Sequence, residues 1–186
     1  MKLLPQRPFQ LKEAIGLGLS KYILKNLMDQ GMIERISRGI YQRASGTGLM
    51  DEERYHIASI KCGFPSAICL VSALEYYHLT DHISKHIWIL VPSSKRISLK
   101  ELRLLRSREP QWKIGIRKTK KYWITIPERT IIDCFVHRKL IGNQMAIEAL
   151  KRAISQKKVK IGNVLDMAKR MGVENRVIPY IEALSS

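Results

Sequence analysis

With 33 Lys and Arg against 16 Asp and Glu, this 186-residue chain carries a formal net charge of +17, a field that favours phosphate polymers as partners. Apolar residues make up 45%, enough for a real core. Yet no apolar run reaches the ~18–20 residues of a membrane span, and MKLLPQRPFQ at the start offers no stretch suited to a secretory signal. Cys62, Cys69 and Cys134 form neither an even disulfide set nor metal-ligand spacing, so the expected setting is the reducing cytoplasm, with no membrane and no metal cofactor.

In chain order, Gln10–Ile15 reads as a short helix broken by Gly16-Leu17-Gly18. Ser20 suits the N-cap of a second helix running to about Gln30, which Gly31 ends. Ile33–Ile36 and Ile40–Arg43 read as strands, with Ser37-Arg38-Gly39 turning between them. Ala44-Ser45-Gly46-Thr47-Gly48 is small and flexible and reads as a linker. Residues 1–46 and 49–186 are therefore expected to be separate domains.

Beyond the linker, helices are expected over Glu52–Lys61 and from Pro65-Ser66 through Leu79. HIWILV (His86–Val91) reads as a buried strand. Leu102–Arg106, Trp112–Arg117 and Tyr122–Ile126 are further strand candidates. Thr130–Arg138, Gln144–Ile154, Gly162–Arg170 and Val177–Leu184 read as helices. This order predicts an α+β fold with helices on a small sheet. The charge is uneven along it: 8 basic against 3 acidic side chains over residues 1–48, but 19 against 5 over 93–160.

The functional argument rests on Phe9–Arg43. Ala14, Gly18, Leu24 and Leu27 fall at the spacings of a helix-turn-helix, where a small residue permits close packing and glycine makes the turn. At 100° per residue, Ile23, Leu24, Leu27 and Met28 share one side of the second helix. Tyr22, Lys25, Asn26 and Asp29 share the other, with Lys21 at its edge. Lys can reach phosphate or guanine, Asn can pair with adenine, and Tyr can touch phosphate or a thymine methyl. Such a face suits the major groove. The hairpin RISRGIYQR would act as a wing, with Arg38 at its tip and Arg35 and Arg43 flanking it.

The stretch GLSKYILKNLMDQGMIERISRGIYQ resembles the N-terminal domain of the AbiEi-type antitoxins of type IV toxin–antitoxin systems. So do PSAICLVSALEYYHLT before HIWILV, and IPERTIIDCFVHRKLIGNQMAIEALKRAI. The resemblance covers about residues 9–155. Its sharpest pieces are an RxxRGxY segment (Arg35, Arg38, Gly39, Tyr41) and a PERTxxD segment (Pro127–Asp133). It implies a winged helix-turn-helix that represses its own operon by binding double-stranded DNA at inverted repeats. It also implies a larger domain that opposes a nucleotidyltransferase-type toxin without a stable complex. The family also implies a full leading helix, which Pro5 and Pro8 would interrupt here. The expected DNA-contacting set is Ser20, Lys21, Tyr22, Lys25, Asn26, Arg35, Arg38, Tyr41 and Arg43.

Three other constellations stand out in the sequence. His78, His82 and His86 recur every four residues, but Thr80-Asp81 looks like a helix end, so packing or surface histidines are expected. Glu128 and Asp133 flank Arg129. Acid suits a helix start there, and Asp133 can pair with Arg129 one turn away. The basic stretch Lys95–Lys121, interleaved with Trp112 and followed by Tyr122 and Trp123, fits either nucleic-acid contact or a lysine-guarded sheet edge. No phosphate-binding glycine loop and no nucleophile–base pair can be drawn, so no catalytic residue and no cofactor are expected. The alternative is a nucleic-acid-processing enzyme using the basic C-terminal domain.

Overall fold

The computed structural model describes residues 4–44, 51–108 and 111–185. The chain falls into two compact units, Met1–Lys61 and Cys62–Ser186. From Ser45 onward the expected linker lies outside the described residues. Among the described residues no helix is long and apolar enough to cross a membrane.

The first unit contains β1 (Phe9–Gln10), α1 (Leu11–Gly16), α2 (Lys21–Asp29), β2 (Ile33–Ser37), β3 (Ile40–Arg43) and most of α3 (Asp51–Cys62). β1 was not expected from sequence. It is too short to show a period, and it forms because Phe9 and Gln10 pair antiparallel with Tyr41 and Ile40. The result is a three-stranded sheet in the order β1-β3-β2. Phe9, Ala14, Leu19, Leu24, Ile33 and Tyr41 make its core, with Leu11, Leu27 and Met28 packed on the flank. Full burial of Phe9 and near-full burial of Leu24 stabilise the unit by roughly 1.5–3 kcal/mol each.

The second unit is a five-stranded sheet with helices, in the order β6-β5-β4-β8-β7. Its strands are β4 (Ala67–Ile68), β5 (Ile87–Pro92), β6 (Leu102–Ser107), β7 (Ile116–Lys118) and β8 (Trp123–Thr125). Its helices are α4 (Leu70–Tyr76), α5 (Pro127–Val136), α6 (Arg138–Ile141), α7 (Asn143–Ser155), α8 (Ile161–Arg170) and α9 (Ile178–Ser185). The mixture of helices and small sheets fits the expected α+β class. β4 pairs antiparallel with β5 and parallel with β8, and β5 pairs parallel with β6. α5 packs against α4, α7 and α8.

Two expectations are corrected here. The helix drawn from Pro65 to Leu79 is shorter, because Ala67-Ile68 form the central strand and only Leu70–Tyr76 is helical. A short buried apolar run reads alike as strand or helix until its neighbours are known. The strand drawn over Trp112–Arg117 is instead a 3-10 turn at Gln111–Lys113 followed by β7. Trp112, only 3% exposed, is a core residue of that turn.

α5 begins at Pro127, whose missing N–H costs nothing at a first helical position, and Glu128 stands in its first turn. Arg129 is almost fully buried. Its Nε donates to both carboxylate oxygens of Asp133 at 2.9 Å. Its Nη1 donates to the carbonyls of Gln111 (2.8 Å) and Ile114 (2.6 Å). One side chain thus ties α5 to the turn before β7. Gly115 is what lets it pass: a Cβ there would lie 2.7 Å from Arg129 Cβ, and φ is +66°. Gly115→Ala is expected to destabilise the protein by at least about 1–3 kcal/mol through the left-handed backbone alone. Urea unfolding would measure it, and an unchanged midpoint would show that the turn relaxes freely.

Candidate nucleic-acid interface

α2 is delimited at both ends by local hydrogen bonding. Before it, Gly18 is left-handed (φ +83°) and closes α1, with Gly18 N–H donating to Ile15 O and Leu19 N–H to Ala14 O, both at 2.9 Å. After it, Gly31 (φ +65°) does the same, with Gly31 N–H to Met28 O and Met32 N–H to Leu27 O, again at 2.9 Å. These paired bonds satisfy carbonyls that a helix end would otherwise leave open. Ser20 Oγ accepts the Ile23 N–H at 3.2 Å, so Ser20 is the N-cap.

Along α2 only Leu24 is fully buried. Leu27 and Met28 are partly buried against the core, whereas Ile23 is 39% exposed. Ile23 therefore lies at the rim of the inner face and not within it, a correction to the helical-wheel division. Opposite Leu24, Tyr22 is 73% exposed. Lys21, Lys25 and Asp29 are also exposed, and Asn26 is half-buried.

β2 and β3 form an antiparallel hairpin with a bulge between Arg35 and Ser37. Gly39 at its tip is left-handed (φ +76°). Its carbonyl accepts the Leu11 N–H at 2.8 Å, which fixes the tip against the start of α1. Arg35 and Arg38 are exposed.

Two of the expected contact residues are differently employed. Tyr41 is 8% exposed and its ring stacks on Phe9, centroids 6.1 Å apart. Its strand position faces it into the core, away from the candidate surface. Arg43 is half-buried and its Nη2 donates to Leu4 O at 2.8 Å, holding the leading segment. Of the expected set, Ser20, Lys21, Tyr22, Lys25, Arg35 and Arg38 are exposed, Ser20 as the cap of α2, with Asn26 partly accessible beside them.

In the second unit the aromatic residues of the basic stretch are turned largely inward. Trp112 and Tyr122 are buried and Trp123 is half-buried. Lys118 Nζ lies 6.0 Å from the Trp123 ring centroid, and Lys113 Nζ lies 5.9 Å from that of Trp112. β7, which carries Lys118, is an edge strand of the sheet, where lysines are common. The exposed ring of this cluster is Phe64, against both tryptophans. Sequence reasoning missed it, since a lone Phe between Gly63 and Pro65 carries no pattern.

Of the two acidic residues on α5, Asp133 forms a structural tie. Asp133 is 2% exposed and held by Arg129. Of the three histidines, His78 sits in a left-handed position (φ 55°) just after α4, His82 lies in the following loop, and His86 directly precedes β5. They share no helix face. Among the described residues no group of three or more His, Cys, Asp or Glu is arranged to hold a metal.

No protein-family model matches the chain. No curated protein matches it either.

Proposed function

We propose that residues 9–43 act as a winged helix-turn-helix and that the chain is a cytoplasmic, sequence-specific repressor of its own promoter. The observation that carries this reading is the surface of α2. It is a short helix with defined ends, one buried seam at Leu24, and an outward face of Tyr22, Lys25 and Asn26. α2 would enter the major groove and Arg38 would reach the backbone or minor groove beside it.

The motif resemblance extends the proposal. The chain would be the autoregulating antitoxin of a type IV toxin–antitoxin operon, binding inverted repeats and countering a nucleotidyltransferase-type toxin without a stable complex. Co-expression with the product of the adjacent gene tests the second half. Growth rescue with no co-purification is the expected result, and rescue that needs a stable complex would defeat the type IV assignment.

DNA binding is tested by titrating the protein on its own upstream DNA and on random duplex at several salt concentrations. Arg38→Ala is expected to weaken both and to reduce the slope of log K against log salt by about one. An unchanged slope would remove Arg38 from the phosphate contacts. Equal affinity of the unaltered protein for upstream and random DNA would defeat sequence-specific repression.

A further inference from the structure

A cavity of about 330 Å³ opens beside strands β5 and β6 of the second unit. Trp88 and Arg103 stand directly opposite each other in the parallel register of those strands, so their side chains leave the same face of the sheet. Both line the cavity, together with His82 and His86. The opposite wall is apolar, supplied by Leu140 and Ile141 of α6 and Met145 of α7. No acidic side chain lines it. Among the described residues no carboxylate pairs with Arg103.

The loop that brings the histidines here is held in place. Thr80 Oγ1 accepts the His82 N–H at 3.1 Å. Asp81 Oδ1 accepts from Arg152 Nη1 of α7 at 2.8 Å. Glu75 Oε1 accepts the Ser84 N–H at 2.6 Å, and Ser84 Oγ donates to His86 O at 2.8 Å. A loop fixed in this way has little ordering entropy left to lose when a ligand arrives.

The chemistry points to one ligand class. A guanidinium without an acid partner is a two-pronged phosphate ligand. Imidazole N–H groups add donors for further phosphate oxygens. An indole face and an aliphatic wall accept a flat, weakly polar ring. The volume sits at the lower end of the ~300–1,000 Å³ of small-molecule sites, the scale of one nucleotide. We infer that this cavity binds a nucleoside monophosphate, with phosphate on Arg103 and the histidines and the base against Trp88. That unit is presented either by a free nucleotide or by the 5′-phosphorylated end of a strand.

The test is a tryptophan-fluorescence and calorimetric titration of the full chain with AMP, inorganic phosphate, and 5′-phosphorylated or 5′-hydroxyl oligoribonucleotides. AMP is expected to bind saturably and to change the emission. Trp88→Phe should abolish that change while heat of binding persists. Arg103→Ala should weaken AMP about tenfold or more, and Arg103 is exposed, so the fold survives. Leu140→Trp, adding bulk to the exposed wall residue, should exclude AMP without touching a charged group. Lys118→Ala, on the opposite edge strand β7, should change nothing. A 5′-phosphorylated strand that competes with AMP where the 5′-hydroxyl strand does not would assign the ligand to strand ends. Competition by neither strand would assign it to the free nucleotide. The inference falls if AMP does not bind at millimolar concentration, if inorganic phosphate binds as well as AMP, or if Lys118→Ala costs as much as Arg103→Ala.

Discussion

Replacing Asp133 by alanine is expected to lower stability by about 3–5 kcal/mol, the cost of leaving a buried charge without its partner. Arg129 and Asp133 are each 2% exposed. In the variant the guanidinium keeps only its bonds to the Gln111 and Ile114 carbonyls. Water is not at hand to replace the carboxylate, because Ile131, Ile132, Cys134 and Phe135 around it on α5 are fully buried. Replacing both partners by apolar residues should cost much less than the sum of the single changes, since no charge is then stranded. Urea unfolding of the two single variants and the double variant measures the coupling. A loss below about 1 kcal/mol for Asp133→Ala would mean that the guanidinium is not left stranded by the change.

The pH dependence of that difference has a definite sign. Burial pushes the Asp133 carboxyl above the usual carboxylate range, while the Arg129 guanidinium pulls the other way. A carboxyl held above its unfolded value binds protons more readily in the folded state, so its contribution to stability falls as pH rises between the two values. On acidification through that window the gap between the unaltered protein and Asp133→Ala should therefore not close. A gap that closes in acid would show that the arginine outweighs the burial. Because the variant is unstable, its loss of any activity would say nothing about catalysis by Asp133.

Substituting Tyr22, Lys25 and Asn26 together by alanine is expected to lower affinity for the true operator by about 10² to 10³ or more. Each base-reading group is worth ~1–3 kcal/mol. Random duplex should lose far less, the main loss there being one phosphate contact from Lys25. Tyr22 and Lys25 are exposed and Asn26 is half-buried. Alanine is the best helix former, and Leu24, Leu27 and Met28 still hold α2 to its core. The helix should survive, so the difference between operator and random DNA reports recognition. Within the set, Asn26→Ala alone should cost ~1–3 kcal/mol on the operator and little elsewhere. Equal losses on both duplexes would show that α2 does not read bases.

Features governed by local hydrogen bonds were readable directly from the sequence. Ser20 and Gly31 mark the ends of α2, and Gly18 the end of α1, because a cap and two left-handed stops depend on residues within five positions of one another. The Arg38-Gly39 hairpin tip and the Arg129–Asp133 pair, one helical turn apart, are legible for the same reason. What needed the tertiary structure were decisions made by distant partners. Ala67-Ile68 is a strand because Ile89, Leu90 and Ile124 pair with it. Tyr41 belongs to the core because Phe9, far back in the chain, supplies the ring it stacks on. Trp112 turns inward from a 3-10 turn, and Lys118 stands on an edge strand, which the strand order alone reveals. His82, His86, Trp88 and Arg103 meet Leu140 and Met145 across one cavity. No local periodicity encodes that meeting, because sheet register and helix packing bring together residues that the sequence keeps apart.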